Sequence, residues 1–199
     1  KGRLLVDYRL ERPMAHTAGS GRRVPEEAIR FWSQIEELAR RHNVGQERLF
    51  DTLDPSLRRI VTSDNGLAEQ VEMSIGLRLP LGVNADELVA LLRAGAGEAT
   101  VAFHGLEQPF VAPKRSPLVS AFTSAIRAEG SRAALVLKTG TSDMNVVGPI
   151  WEVPIVAYGP GDSSLDHTPD EHIEIDEYLR AIAVLVRVLQ RLAAATATA

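Results

Sequence analysis

The sequence predicts a mixed α and β protein: a ferredoxin-like βαββαβ sheet first, then a segment of a second, α/β-type domain. Three observations carry this. Leu4, Val6, Tyr8 and Leu10 alternate with polar neighbours, and so, more clearly, do Val71, Met73, Ile75, Leu77 and Leu79; a period of two marks strands with one buried face. Two segments of helical period lie among the strands, the first with Ala28, Trp32, Ile35 and Leu38 or Ala39 on one side. Beyond Pro109 and Pro113 the alternation stops, and residues 134–137 and 153–157 are apolar throughout, the pattern of strands buried on both faces. These observations divide the chain into residues 1–108 and 109–199.

The first strand ends at Pro13-Met14-Ala15-His16, and a Gly19-Ser20-Gly21 loop follows. A helix begins near Pro25, a residue favoured in the first turn, and ends before Asn43 to Gly45. A connecting segment runs to Pro55. Residues 57–63 form the second strand, and Asp64-Asn65-Gly66 is a turn signal. Pro80 and Gly82 close the third strand. Asn84, with Glu87 three residues on, opens a capped helix; Leu88, Leu91 and Leu92 are its inward residues and Gly95 its stop. Residues 100–103 form the fourth strand. The order strand, helix, strand, strand, helix, strand is that of a small antiparallel sheet with both helices on one face.

In the second half, Ser116-Pro117 opens a helix that runs to Gly130, and residues 139–145 form a loop. A last helix starts near Asp176 with Leu179, Ile182, Val186 and Leu189 on one face, and its tail after Leu192 is expected to fray. Two strands and two helices cannot cover both faces of a parallel sheet. The second half therefore reads as one piece of a domain whose other piece precedes Lys1, and the opening, which lacks an initiator methionine, reads as the middle of a longer protein.

Composition narrows the function. A content of 45% hydrophobic and 24% charged residues over 199 positions fits a soluble globular protein. The net charge of -4 gives no electrostatic case for nucleic acid. No apolar run is long enough to span a bilayer, and no signal peptide stands at the start. The absence of cysteine excludes disulfides and thiolate metal sites and fits a cytoplasmic location. A metal here would be held by His, Asp and Glu.

The stretch at 158–171 is the richest in chemistry. Glycines and a proline open it after the apolar run at 153–157, and it delivers His167 among Asp166, Asp170 and Glu171. An imidazole set among carboxylates suits a divalent metal such as zinc; equally, the stretch is a solvated acidic turn placed before a helix N-terminus. His42, His104 and His172 read as surface residues. His16 stands in a loop beyond a strand. Arg78 faces outward from its strand, where it is either an exposed cation or a fork for a carboxylate. Asn65 before Gly66 is a turn residue by default. The sequence contains no His-x-Asp and no His-Glu-x-x-His, and its two Glu-Glu pairs, Glu26-Glu27 and Glu36-Glu37, fall inside the first helical segment, so no complete metal site assembles from it, and Thr141-Ser142-Asp143 gives no readable triad.

Taken together, Leu137-Lys138-Thr139-Gly140-Thr141-Ser142-Asp143-Met144-Asn145 and the run at 158–171 resemble the M20-type dinuclear zinc deacetylase and aminoacylase family. That family includes acetylornithine deacetylase, succinyl-diaminopimelate desuccinylase and the carboxypeptidase G type enzymes. The nearest likeness is to the acetyl-lysine deacetylase branch, which acts on lysine bound to an amino-group carrier protein.

The resemblance implies a catalytic domain interrupted by a lid, or dimerisation, domain with the ferredoxin-like order. It implies a homodimer in which His16 reaches the partner subunit's active site and helps hold the substrate oxyanion. It implies substrate contacts at Asn65, Arg78, Gly140, Thr141 and Ser142, and a metal ligand at His167. Two zinc or cobalt ions would activate water for amide hydrolysis, with the remaining ligands and the catalytic glutamate upstream of Lys1. The implied activity releases lysine or ornithine from an N-acyl or carrier-protein-linked precursor in lysine or arginine biosynthesis, and this chain alone is expected to be inactive. A non-catalytic dimerisation or binding module derived from the same family is the alternative. Two departures stand out. The usual Asn-Val-Ile-Pro after the turn reads Asn65-Gly66-Leu67-Ala68, and Gly76 replaces the usual aspartate before the strand arginine.

Overall fold

The structure, a computed structural model, describes residues 1–16 and 23–197. The expected Gly19-Ser20-Gly21 loop lies outside the described residues. The chain divides into two compact units. One comprises Lys1–Phe110 and Lys138–Pro149, the other Val111–Leu137 and Ile150–Ala199. The break after Phe110 falls two residues beyond the expected boundary, and the loop at 139–145 belongs with the first unit.

The first unit is built on a four-stranded antiparallel sheet in the order β2-β3-β1-β4. Its strands are β1 (Gly2–Pro13), β2 (Asp54–Asp64), β3 (Ala68–Leu79) and β4 (Thr100–Glu107). Helix α1 (Val24–His42) joins β1 to β2, and α2 (Ala85–Gly95) joins β3 to β4. The alternation on β1 and β3 does what a period of two requires. Leu4, Val6, Tyr8 and Leu10 and the five apolar residues of β3 are all buried against Val24, Ala28, Phe31, Ile35 and Ala39 of α1 and Leu88 and Leu92 of α2. Each large apolar side chain removed from water contributes about 1.5–3 kcal/mol. The Tyr8 and Phe31 rings stack with centroids 4.9 Å apart.

Local signals set the helix ends. Pro25 lies in the first turn of α1, and the Glu26 carboxylate accepts from the Arg23 backbone N–H at 3.1 Å. Glu26 and Glu27 at its start and Arg40, Arg41 and His42 at its end complement the helix dipole. Asn84 caps α2, its Oδ1 accepting from the amides of Asp86 and Glu87.

Two inward faces differ from expectation. Leu91 is 56% exposed, because α2 turns Ala85, Leu88 and Leu92 to the sheet and leaves Leu91 on the flank. On α1 the buried aromatic is Phe31, and Trp32 only packs at the edge.

In the second unit, α3 (Pro117–Ala128) packs on α5 (Ile175–Thr196). Ser116 Oγ caps α3 by accepting from the Val119 amide. The face of α5 that packs is Ala181, Val184 and Val188, not the expected Leu179, Ile182, Val186 and Leu189, which are exposed. Asp176, Glu177, Arg180, Arg187 and Arg191 share one side of the helix, and the apolar arc that remains is wider than one packed stripe, so spacing does not single out the stripe that packs. The small residues Ala121, Ala125 and Ala181 allow close approach, and they decide it.

The expected strands at 134–137 and 153–157 are absent. Both segments are irregular, without ladder partners among the described residues, and Leu135, Val136 and Val153 are exposed. A strand exists only where a neighbour completes its hydrogen bonds. Helix α4 (Met144–Trp151) occupies the end of what the sequence suggested was loop, despite Gly148 and an internal Pro149. No helix among the described residues is long and apolar enough to cross a membrane.

Ile75 sits at the centre of the sheet's buried face. Ile75→Ala should lower the unfolding free energy by about 2–5 kcal/mol through lost transfer and a residual cavity, whereas Leu91→Ala should change it by less than about 1 kcal/mol. Urea denaturation of the two variants checks both values; equal losses would show that α2 packs on its other flank.

Candidate active site

Arg78 is the last outward-facing residue of β3, between buried Leu77 and Leu79. Its neighbours in register are Arg3 on β1 and Asp54 on β2. Its Nη1 donates to Thr141 Oγ1 at 2.6 Å. Burial, then the nearby Arg58 and Arg3, lowers its pKa, with Glu107 opposing. Three guanidiniums thus share this end of the sheet. Arg3 is paired with Glu107 at 2.6 Å, and the buried Lys1 ammonium with the Asp54 carboxylate.

The loop carrying Gly140, Thr141 and Ser142 is held by one side chain. Asn145, 7% exposed, donates from Nδ2 to the Lys1 carbonyl at 2.9 Å and to the Gln108 carbonyl at 2.8 Å, while its Oδ1 accepts from the Ser142 amide at 3.0 Å. Nearby, the backbone at Gly148 approaches the Phe110 ring so closely that an added Cβ would lie 2.6 Å from it. Ser142 itself is exposed, and Thr141 is half-buried beneath Arg78.

The opposite end of β1 and β3 holds a second pair. Met14 N–H donates to the Leu67 carbonyl at 2.8 Å, which ties the segment leading to His16 to the turn containing Asn65. Asn65 Oδ1 accepts from the amides of Leu67 and Ala68 at 3.0 and 2.9 Å. That commits the oxygen to the turn and leaves the Nδ2 hydrogens as donors toward solvent. His16 is exposed. Ten residues of β3 separate Ala68 from Arg78, a span of about 33 Å at the rise of an extended strand.

His167 lies in the second unit, in the turn-rich stretch before α5. Its backbone is left-handed, φ 65°, and its amide donates to the Glu171 carboxylate at 2.8 Å. A non-glycine residue in this region is a locally strained conformation, here held by that bond. The ring is exposed. Among the described residues no group of three His, Asp or Glu side chains converges to hold a metal ion, so His167 can serve only as one ligand of a larger set.

The structure therefore joins Arg78 to Thr141 and places His16 beside the Asn65 turn at the far end of the same sheet. Sequence reading missed Asn145 as the residue that shapes the loop, although an Asn three residues after a serine is a recognisable turn-capping signal. It also missed Arg58, a β2 residue whose position follows from a register irregularity that no sequence pattern marks.

The sequence pattern of peptidase family M20/M25/M40 matches residues 16–191. A LysW-lysine hydrolase from Deinococcus radiodurans is 40% identical over 198 residues, covering 96% of this chain and 54% of that protein; the chain spans about half the length of this relative. Among solved structures, an M20 family metallo-carboxypeptidase from Sulfolobus solfataricus aligns with a TM-score of 0.66 at 17% identity, over 94% of this chain and 57% of that one. An aminopeptidase PepT from Bacillus cereus aligns with a TM-score of 0.68 at 16% identity, over 96% and 52%. At such identities the two structures report the fold.

Asn145→Ala should destabilise the first unit by about 1–3 kcal/mol, since it removes three hydrogen bonds and leaves the buried carbonyls and the Ser142 amide short of partners. Hydrogen exchange at Ser142 beside a denaturation curve reads it. Unchanged exchange would mean that the loop is held elsewhere.

Proposed function

Because the chain belongs to peptidase family M20/M25/M40, we propose that it is the lid and carboxyl-terminal catalytic segment of an amide hydrolase that releases lysine or ornithine from an N-acyl or carrier-protein-linked precursor. The observation that carries the reading is the Arg78–Thr141 hydrogen bond. It holds a guanidinium fork beside the Gly140-Thr141-Ser142 loop, in a chain 40% identical to a LysW-lysine hydrolase.

In this reading residues 1–108 are the lid and residues 109–199 the catalytic segment. Arg78 holds the substrate carboxylate through its free donors, and Thr141 orients the fork. Gly140 and Ser142 line the same loop. Asn65 offers its side-chain amide to the substrate, and His16 donates to the developing oxyanion. Membership of the family implies divalent metal ions; zinc or cobalt is the specific proposal, with His167 as one ligand. When bound, such ions activate water and polarise the scissile carbonyl. The remaining ligands and the general base belong to the part of the relatives that this chain does not span, so the chain by itself is inactive.

Support for a homodimer built on the lid comes from the separation along β3. A small substrate cannot bridge about 33 Å, so His16 and Arg78 of one chain cannot serve one active site together. A twofold partner that presents its His16 and Asn65 to the other subunit's Arg78 end removes the conflict. The exposed edge strand β2, with Leu57, Ile60 and Val61 each about 40% exposed, is a surface that pairing would cover.

In the full-length enzyme, Arg78→Ala should lower kcat/KM by roughly tenfold to a hundredfold, the effect of losing a charge-assisted pair of about 1.5–3 kcal/mol. Arg78→Lys should recover only part, because a point charge lacks the planar fork. Steady-state kinetics beside a melting curve checks this, and unchanged efficiency in Arg78→Ala would reduce the arginine to a surface cation.

Subunit mixing tests the shared site. His16→Ala and Arg78→Ala homodimers should each be impaired, and co-expressed heterodimers should recover toward about a quarter of full activity, since half the dimers carry one intact site. No recovery would place His16 and Arg78 in the same chain's site and overturn the dimeric reading.

A further inference from the structure

The geometry points to a two-guanidinium anion site, built by Arg78 and by Arg58 lying over Gly76, that takes a ligand bearing two carboxylates. Gly76 precedes Arg78 by two residues on the same outward face of β3, about 7 Å along the strand. The register of β2 on β3 shifts between Leu57 and Arg59, so Arg58 is the extra residue of a bulge, a device that re-aims a side chain. Here it lays the guanidinium over Gly76. A Cβ at position 76 would stand 2.6 Å from Arg58 Nε and 3.0 Å from its Cζ and Nη2. The absence of a side chain at Gly76 thus makes room for Arg58.

The neighbouring cations are neutralised. Lys1 pairs with Asp54, Arg3 with Glu107, and Arg59 with Glu72. Arg58 and Arg78 have no ion-pair partner among the described residues, and each lies within the other's field, which burial of Arg78 strengthens. Two like charges held together without an ion-paired carboxylate of their own select for an anion. One carboxylate satisfies one fork; two carboxylates satisfy both.

The inference deepens the proposed function by making Arg58 a specificity-determining residue for substrates with a second carboxylate. It rests on that function only for the identity of the natural ligand. The test uses succinate and acetate at fixed ionic strength, titrated into the chain and followed by calorimetry or amide chemical shifts. Succinate should bind about tenfold tighter than acetate. Arg58→Gln and Gly76→Asp should each erase that preference, with melting temperatures close to the parent's, and Arg58→Lys should keep part of it. Should Arg58→Gln fail to fold, Gly76→Asp carries the test alone. Equal affinity for the two anions in the parent chain, or a preference that survives in Arg58→Gln, overturns the site. Binding here needs no hydrolysis: an inactive full-length enzyme that retains the succinate preference would refute the hydrolase reading and leave the site standing. An active enzyme without the preference would do the reverse.

Discussion

The pairing of β3 on both of its sides is the constraint on which the first unit depends. It joins β1 over its whole length and β2 over nearly all of it, and its inner face carries five consecutive alternate positions that are all buried. A one-residue slip would turn Val71, Met73, Ile75, Leu77 and Leu79 outward and bring Glu72, Ser74 and Arg78 into the core. The cost of burying those charges fixes the register. Once the register is fixed, so is the face on which Gly76 and Arg78 stand, and hence the chemistry available at that end of the sheet.

Polar groups, not apolar ones, attach the loop of Gly140, Thr141 and Ser142 to this sheet. Asn145 satisfies two carbonyls and one amide at once, and Arg78 reaches the Thr141 hydroxyl. A loop rich in small polar residues has little apolar surface to bury, so directional bonds to backbone groups must order it. The two ends of β3 are too far apart for one small molecule, so a strand that is a structural spine also separates the two candidate clusters.

The second unit shows what happens when apolar surface exceeds the available partners. Helix α5 carries a wide apolar arc beside its charged side, and the cluster it forms with α3 takes in Val184, Val188 and Leu192. The apolar runs at 134–137 and 153–157 remain irregular and unpaired among the described residues. Their side chains suit burial on two faces, but a strand is a relation between segments, and their composition cannot provide the neighbour.

The sequence by itself determined the strands β1 and β3, the first-turn proline of α1, the caps of α2 and α3, and the mixed fold, because these rest on local periodicity and on side chains that bond to backbone within a few residues. It also brought Arg78, Thr141 and His16 forward as candidates, through residue chemistry and family likeness. Only the tertiary structure decided which face of α5 packs, that Leu91 stays outside, that α4 forms across Gly148 and Pro149, and that the runs at 134–137 and 153–157 are not strands. It alone joined Arg78 to Thr141, set His16 beside the Asn65 turn at the far end of the sheet, and laid Arg58 over Gly76. The reason is physical. Periodicity records whether a side chain prefers apolar surroundings, whereas contacts between residues tens of positions apart depend on strand register, bulges and the space left by neighbours, and no local pattern encodes those.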